Sequence, residues 1–131
     1  MRLDPAWSDG KAMIAVIFEV TPYLGQRGSY MQLAAKLAPQ LEKIDGFISV
    51  ERFESLVLPG KILSLSFWRD EAAVKAWRNT EMHRAAQQAG RDGIFADYRL
   101  RIAAVVRDYG MTERDEAPVD SRAFHSLISV D

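Results

Sequence analysis

Runs of apolar and alternating residues between Met13 and Val106 predict four β-strands. The first run, MIAVIFEVT, is rich in β-branched and aromatic residues on both faces and ends before Pro22, which is typical of a central strand. The next two runs alternate between apolar and polar residues and are joined by the turn Pro59-Gly60, so they predict an antiparallel hairpin. The four predicted strands are Met13–Thr21, Phe47–Phe53, Lys61–Trp68 and Tyr98–Val106, and in the second of them Phe47 shares a predicted face with Ser49, Glu51 and Phe53.

Helical spacing fills the intervals between these strands. Ser29 is a suitable N-cap for a first helix, which Pro39 should kink or end early before Gly46 closes the segment. Asp70 should cap a helix over Glu71–Arg78, and Asn79-Thr80 should cap another from Glu81 to about Ala89. The apolar stripe of the first helix is Leu33, Leu37, Leu41 and Ile44, and the predicted buried stripe of the last is Met82, Ala85, Ala86 and Ala89.

The resulting order, β-α-β-β-α-β, predicts an α+β fold of the ferredoxin-like type: a four-stranded antiparallel sheet with the helices on one face. The first strand is apolar on both faces, with Ile14 and Phe18 on one and Ala15 and Ile17 on the other. Because the helices cover only one face, the other needs a partner. We therefore expect a homodimer in which two sheets pack together as a dimeric α/β barrel.

Composition limits the remaining possibilities. The chain has 131 residues, of which 48% are hydrophobic, which is enough for one core and hence for one domain over residues 13–110 after a short lead, residues 1–12. The net charge of −1 gives no field for nucleic acid, and the absence of cysteine excludes disulfides and thiolate metal sites. No run is long enough to span a membrane, so we expect a cytoplasmic protein.

The tail, residues 111–131, is acidic first and apolar at Phe124, Leu127 and Ile128. Two interpretations stay open: a partly disordered terminus, or a segment that docks across the dimer.

Motifs for metal or nucleotide binding are missing, and the only two histidines, His83 and His125, lie far apart in the sequence. We therefore expect no protein-bound catalytic metal, so that any catalysis would rely on the substrate's own reactivity or on a bound organic cofactor. The third strand carries Ser64 and Ser66 on the face of Ile62 and Trp68, which indicates either a pocket under the helices or a solvated face.

Three further positions carry alternatives. Trp77 is either core packing or a pocket wall with an N–H donor. His83 lies at the border of an apolar stripe and is either a surface histidine or an acid/base group. The arginines of the last strand, Arg99 and Arg101 with Arg107, are either paired with Glu19 or Glu51 or bind substrate.

The segments GFISVERFES, GKILSLSFW, DEAAVKAWRNTEMHRAAQQAGR and DYRLRIAAVVRDYG together resemble the antibiotic biosynthesis monooxygenase family over about residues 13 to 110. The resemblance implies cofactor-independent oxygenation of small electron-rich cyclic or phenolic compounds. It makes His83 the candidate base, Trp77 and Trp68 pocket walls with N–H donors, and Ser64 a donor to a substrate oxygen. Ser66 and Phe18 complete the predicted substrate site.

This function has two alternatives, a divergent haem-degrading monooxygenase and a non-catalytic ligand-binding protein, and the chain matches neither known branch of the family in full. In the haem-degrading branch of the family, the characteristic asparagine falls at about Phe18 and the haem-ligating histidine at about Gln87, so this chain departs from that pattern. In the polyketide oxygenase branch, an asparagine falls at about Ser64. A dimeric barrel that binds a small hydrophobic ligand without converting it, as a carrier or sensor, is the other alternative.

Overall fold

The predicted order of elements is confirmed by a computed structural model, which describes residues 12–128 and the side chains up to residue 124. The strands are β1 (Ile14–Pro22), β2 (Phe47–Glu54), β3 (Ile62–Trp68) and β4 (Phe95–Ala104). The helices are α1 (Arg27–Leu41), α2 (Glu71–Arg78), α3 (Glu81–Ala89) and α4 (Val119–Ile128), with a π-helical turn over Gly90–Ile94 between α3 and β4.

The four strands form one antiparallel sheet in the order β2-β3-β1-β4, as the ferredoxin-like motif requires. Phe18 on β1 lies opposite Ser64 on β3 and Leu100 on β4. Since residues paired across antiparallel strands point to the same side of a sheet, these three side chains share the face that also carries the buried Ile14 and Val20.

Two helix starts follow the predicted cap chemistry. Ala73 N–H donates to Asp70 Oδ1 at 2.9 Å, and His83 N–H donates to Thr80 Oγ1 at 3.1 Å. Each side chain satisfies one of the donors that a helix start leaves without an intrahelical partner. The cap predicted at Ser29 is wrong, because α1 begins at Arg27, after Gln26, and has no side-chain cap.

A β-bulge corrects the predicted alternation of β2. Phe47 pairs with Trp68 and Ser49 with Phe67, so Ile48 is the extra residue and is exposed. Phe47 and Val50 consequently both pack on the core beneath the helices. The prediction that Phe47 shares the face of Ser49 is therefore wrong.

The stripe predicted for α3 is also wrong in part. Ala86 is buried and Met82 half-buried, but Ala85 and Ala89 are exposed, since the helix end turns away into the π-helical turn. Gly90 lies against the ring of Phe95, where an added Cβ would come within 2.3 Å of Cε2. This close approach starts β4 at Phe95, three residues before the predicted Tyr98.

The face of the sheet opposite the core, here called the outer face, carries an apolar centre with charged neighbours. Its half-buried apolar residues are Ile17, Leu63, Leu65 and Phe67. Glu19 contacts Lys61 Nζ at 2.8 Å and Arg101 Nη1 at 3.3 Å, and the hydrogen bond from Lys61 lowers the pKa of Glu19. The predicted pairing of Arg101 with Glu19 is thus confirmed. Among the residues from 12 to 128, no helix is long and apolar enough to cross a bilayer.

Candidate functional site

The core beneath the helices is divided into two clusters. One contains Ile14, Leu41, Trp68, Val74 and Trp77, together with Ala73. The other contains Val20, Tyr30 and Ile62. Ser64 belongs to neither cluster, although it lies between Ile62 and Ser66 on the same face of β3.

Ser64 is more exposed than its two neighbours on the same face of β3. Ile62 is 1% exposed and Ser66 is 7% exposed, whereas Ser64 between them is only half-buried. On α1, the buried residue between Tyr30 of one cluster and Leu41 of the other is the small Ala34. A serine in the sheet and an alanine in the helix layer leave room that larger side chains would fill.

The helix side of the sheet also stays open toward β4. Leu100 is 48% exposed and Ile102 is 45% exposed, and both share the face of Val16 and Phe18 on the neighbouring strand. We call the area formed by Val16, Phe18, Ser64, Leu100 and Ile102 the helix-side groove. It is apolar apart from the Ser64 hydroxyl, as small-molecule sites mostly are.

Trp77 and His83 lie together at one end of this groove. Their rings have centroids 5.2 Å apart, and Trp77 shares its core cluster with Ile14, against which Val16 and Ala104 pack. Ala104 is two residues from Ile102 on the same face of β4. No acceptor for the Trp77 Nε1–H is found in the described part of the chain, and this donor is not among the enclosed polar atoms.

The imidazole of His83 is half-buried. Burial lowers its pKa below the ordinary 6.5, and the positive charges of Arg84 and Arg78 lower it further. A histidine with a lowered pKa is neutral at physiological pH and can accept a proton from a bound C–H or O–H acid.

The side chains of Trp68 and Ser66 are hydrogen-bonded to each other. Trp68 Nε1–H donates to Ser66 Oγ at 2.9 Å in a buried hydrogen bond, and Trp68 is 1% exposed. The expectation that Trp68 presents its N–H to a ligand is therefore wrong, because that donor is already used. The pair forms a rigid support beside Ser64.

Phe18 joins an aromatic group that the sequence did not predict. Its ring centroid lies 5.7 Å from that of Phe95 and 5.6 Å from that of Tyr98. All six predicted site residues lie on the helix side of the sheet. Four of them form two separate contacting pairs, Trp77 with His83 and Trp68 with Ser66.

Arg52 is a further candidate that the sequence did not single out. It pairs with Ser64 from β2, on the helix side of the sheet. A signal was present in the sequence, because Arg52 shares the predicted face of the apolar Val50, but an arginine in a short alternating strand is usually solvated.

Other sites are not supported. The described residues contain no group of three or more histidine, cysteine, aspartate or glutamate side chains that could hold a metal ion. Gln87, at the place of the haem-ligating histidine, is exposed on α3. A cavity of about 360 Å³ lies at the end of the sheet near Glu19, Lys61 and Asp97, and none of the six predicted residues lines it.

Comparison with known proteins assigns the class. Residues 13–89 match the model of the antibiotic biosynthesis monooxygenase family, so the chain belongs to this family. The predicted resemblance to this family is thereby confirmed, and the matched segment begins where the predicted domain begins.

Two curated relatives are similar in sequence. The jasmonate monooxygenase ABM of Pyricularia oryzae is 52% identical over 119 residues, which are 90% of this chain and 55% of that protein. The chain therefore spans about half the length of this relative. The protein YqjZ of Bacillus subtilis is 29% identical over 93 residues, or 71% of this chain and 79% of its own.

Solved structures show the same fold at low sequence identity. Rv0793 of Mycobacterium tuberculosis has a TM-score of 0.68 at 16% identity, covering 76% of this chain and 100% of its own. SO0527 of Shewanella oneidensis has a TM-score of 0.66 at 14% identity, covering 72% and 92%. The expected ferredoxin-like class is confirmed by these likenesses.

Proposed function

We propose that this protein is a monooxygenase that oxygenates small, mostly apolar cyclic compounds without a metal or a flavin. The observation that carries the proposal is the pair His83 and Trp77, at one end of an apolar groove in a chain of this family. His83 is the base, and Trp77 forms a wall and donates its indole N–H to a substrate oxygen.

The chemistry requires a substrate that ionises easily, such as a phenol or an enolisable cyclic ketone. His83 accepts the proton from the O–H or from the C–H beside the carbonyl. The resulting anion passes one electron to dioxygen, and the two radicals combine to a peroxide. Loss of water then converts a CH₂ group to C=O, so that one oxygen atom of O₂ enters the product and the other leaves as water. No external reductant is consumed in this sequence.

The apolar surroundings support both steps. Burial keeps His83 neutral, and the groove offers hydrocarbon and aromatic surface at Val16, Phe18 and Ile102. A substrate anion formed there is poorly hydrated and thus a stronger electron donor than in water.

The name of one relative points to a first substrate to test. The Pyricularia oryzae relative is named for jasmonate, which is a cyclopentanone that carries a carboxylate side chain. We therefore include jasmonate-type cyclic keto acids, together with phenols and anthrones, among the compounds to be tested as substrates.

We propose in addition that the protein acts as a homodimer through its outer face. Ile17, Leu65 and Phe67 form an apolar centre there, and the Glu19 ion pairs lie beside it. A second sheet packed on this face would bury that apolar area.

The experiment that tests the proposed function is oxygen consumption by purified protein from which metal and flavin have been removed. The panel contains anthrones, hydroquinones, catechols and jasmonic acid, each with its own autoxidation blank. We expect at least one compound to consume oxygen faster than the blank. Trp77→Phe should then mainly raise KM. Tight binding with no consumption beyond the blank would instead identify a carrier or sensor.

A further inference from the structure

Arg52 lies at the polar end of a row of four paired residues on the helix side of the sheet. The row runs from Arg52 on β2 through Ser64 on β3 and Phe18 on β1 to Leu100 on β4. With adjacent strands about 4.8 Å apart, the backbone at Arg52 lies about 10 Å from that at Phe18. The row therefore joins a positive charge and a hydroxyl to an apolar surface over the length of a small molecule.

The charge of Arg52 has no partner among the residues that the structure describes. The side chain is half-buried, and its Nε–H is buried without an acceptor. Glu54 is the next residue on the same face of β2, but it is paired with Arg27 at the start of α1. Arg114, the other half-buried arginine of the described region, also has a buried nitrogen without an acceptor, Nη2, but its Nη1 donates to the Gly110 carbonyl at 3.0 Å, whereas no described residue accepts from Arg52.

A buried donor without a partner is unusual in a folded protein and calls for an explanation. Solvent does not reach the Nε–H, for which no described residue supplies an acceptor, whereas the Nη groups of the same guanidinium are not enclosed in this way and have no acceptor among the described residues either. A bound anion would satisfy the guanidinium, which binds carboxylates through two parallel N–H groups. Ser64, directly opposite and half-buried, is in position to donate its hydroxyl to the same anion.

We propose that Arg52 and Ser64 bind the carboxylate of the substrate, and that the substrates of this protein are cyclic carboxylic acids. The proposal deepens the proposed function and rests on it. The carboxylate lies against Arg52 and Ser64, and the ring lies over Phe18 and Leu100. These two residues are the next along the same face from Val16 and Ile102, and Val16 packs on the core cluster that contains Trp77. Arg52 thereby selects acids over neutral compounds of the same shape.

The test is calorimetric titration without oxygen, so that binding is measured independently of turnover. The probes are jasmonic acid and its methyl ester, which share the ring and the side chain but differ at the carboxyl group, where the ester adds one methyl group and removes the charge. The parent should bind the acid about 10- to 100-fold more tightly than the ester, the range expected for hydrogen bonds to a charged group. Arg52→Gln should abolish this preference, and Arg52→Lys should restore part of it, since lysine keeps the charge but not the two-pronged geometry.

Arg107→Gln is the matched control, because Arg107 is an exposed arginine beyond the end of β4, and it should retain the preference of the parent. Thermal unfolding of Arg52→Gln verifies that the variant is folded, and we expect no loss of stability, because the substitution removes an unsatisfied group. Equal affinity of the parent for acid and ester, binding of neither, or an unchanged preference in folded Arg52→Gln would overturn the proposal. If one of these results is obtained while the protein still consumes oxygen with neutral phenols, the carboxylate site is refuted and the monooxygenase function stands.

Discussion

The imidazole of His83 lies against the indole of Trp77, with 5.2 Å between the ring centroids and 58° between the ring planes. The contact follows from the short connection between two helices. α2 ends at Arg78, and Thr80 caps α3 by accepting from the backbone N–H of His83 itself. The cap thus fixes the first turn of α3, and with it the position of the histidine beside the tryptophan.

The pH dependence of the reaction should report His83. Its pKa is lowered by burial and by the charges of Arg84 and Arg78, and a base acts in its neutral form. We therefore expect kcat/KM to fall on acidification with a midpoint below pH 6.5 and to reach its plateau on the alkaline side of that midpoint. His83→Ala should lower the rate about 100-fold, the usual scale for loss of a general base. His125→Ala, which removes the other histidine, is the control, and a midpoint above 6.5 would argue against His83.

The two serines of β3 should have separable roles. Ser66→Ala leaves the buried N–H of Trp68 without its acceptor and should lower the free energy of unfolding by about 1–3 kcal/mol. Ser64→Ala removes a half-buried hydroxyl that has no hydrogen-bond partner among the described residues, so it should change the free energy of unfolding by less than about 0.5 kcal/mol. The same substitution should raise KM. Urea unfolding and steady-state kinetics on both variants measure these effects. Equal loss of stability in the two would contradict the assignment.

The outer face should hold the dimer together. Light scattering should give twice the chain mass of 14.8 kDa. Ile17→Asp places a charge in the apolar centre of the outer face and should yield monomers, whereas Ile17→Leu should not. A monodisperse monomer of the parent at micromolar concentration would refute the shared barrel.

Haem should bind weakly. Phe18 is packed against Phe95 and Tyr98, and Gln87 is exposed, so neither position supplies the asparagine or the histidine of the haem-degrading branch. Titration with hemin should give no sharp Soret band at stoichiometric hemin. Such a band, followed by its loss on addition of a reductant, would make His83 a haem ligand instead.

The features that could be predicted from the sequence depend on local chemistry. Asp70 and Thr80 cap their helices because a short side chain with an acceptor oxygen, just before a helical run, can accept from a backbone N–H of the first turn. The two-faced apolar pattern of β1 placed it in the centre of the sheet, where it pairs with both β3 and β4. The ferredoxin-like order followed from these elements.

The features that could not be predicted depend on contacts between distant segments. The bulge at Ile48 reverses the face of Phe47 because the Trp68 ring, at 5.1 Å, holds Phe47 against the core. The early start of β4 depends on the Phe95 ring lying on Gly90. Arg52 was missed for the same reason, because only the pairing with Ser64 shows that its neighbours leave it without a partner.

The most direct test of the central claim is the fate of labelled dioxygen. Metal-free and flavin-free protein is incubated under ¹⁸O₂ with the compound that gives the highest oxygen consumption, and the product is analysed by mass spectrometry beside an enzyme-free blank. We expect one ¹⁸O atom in each product molecule, with product formed faster than in the blank and about 100-fold more slowly by the His83→Ala variant. Product formed no faster than in the blank, or carrying oxygen from water alone, would contradict it.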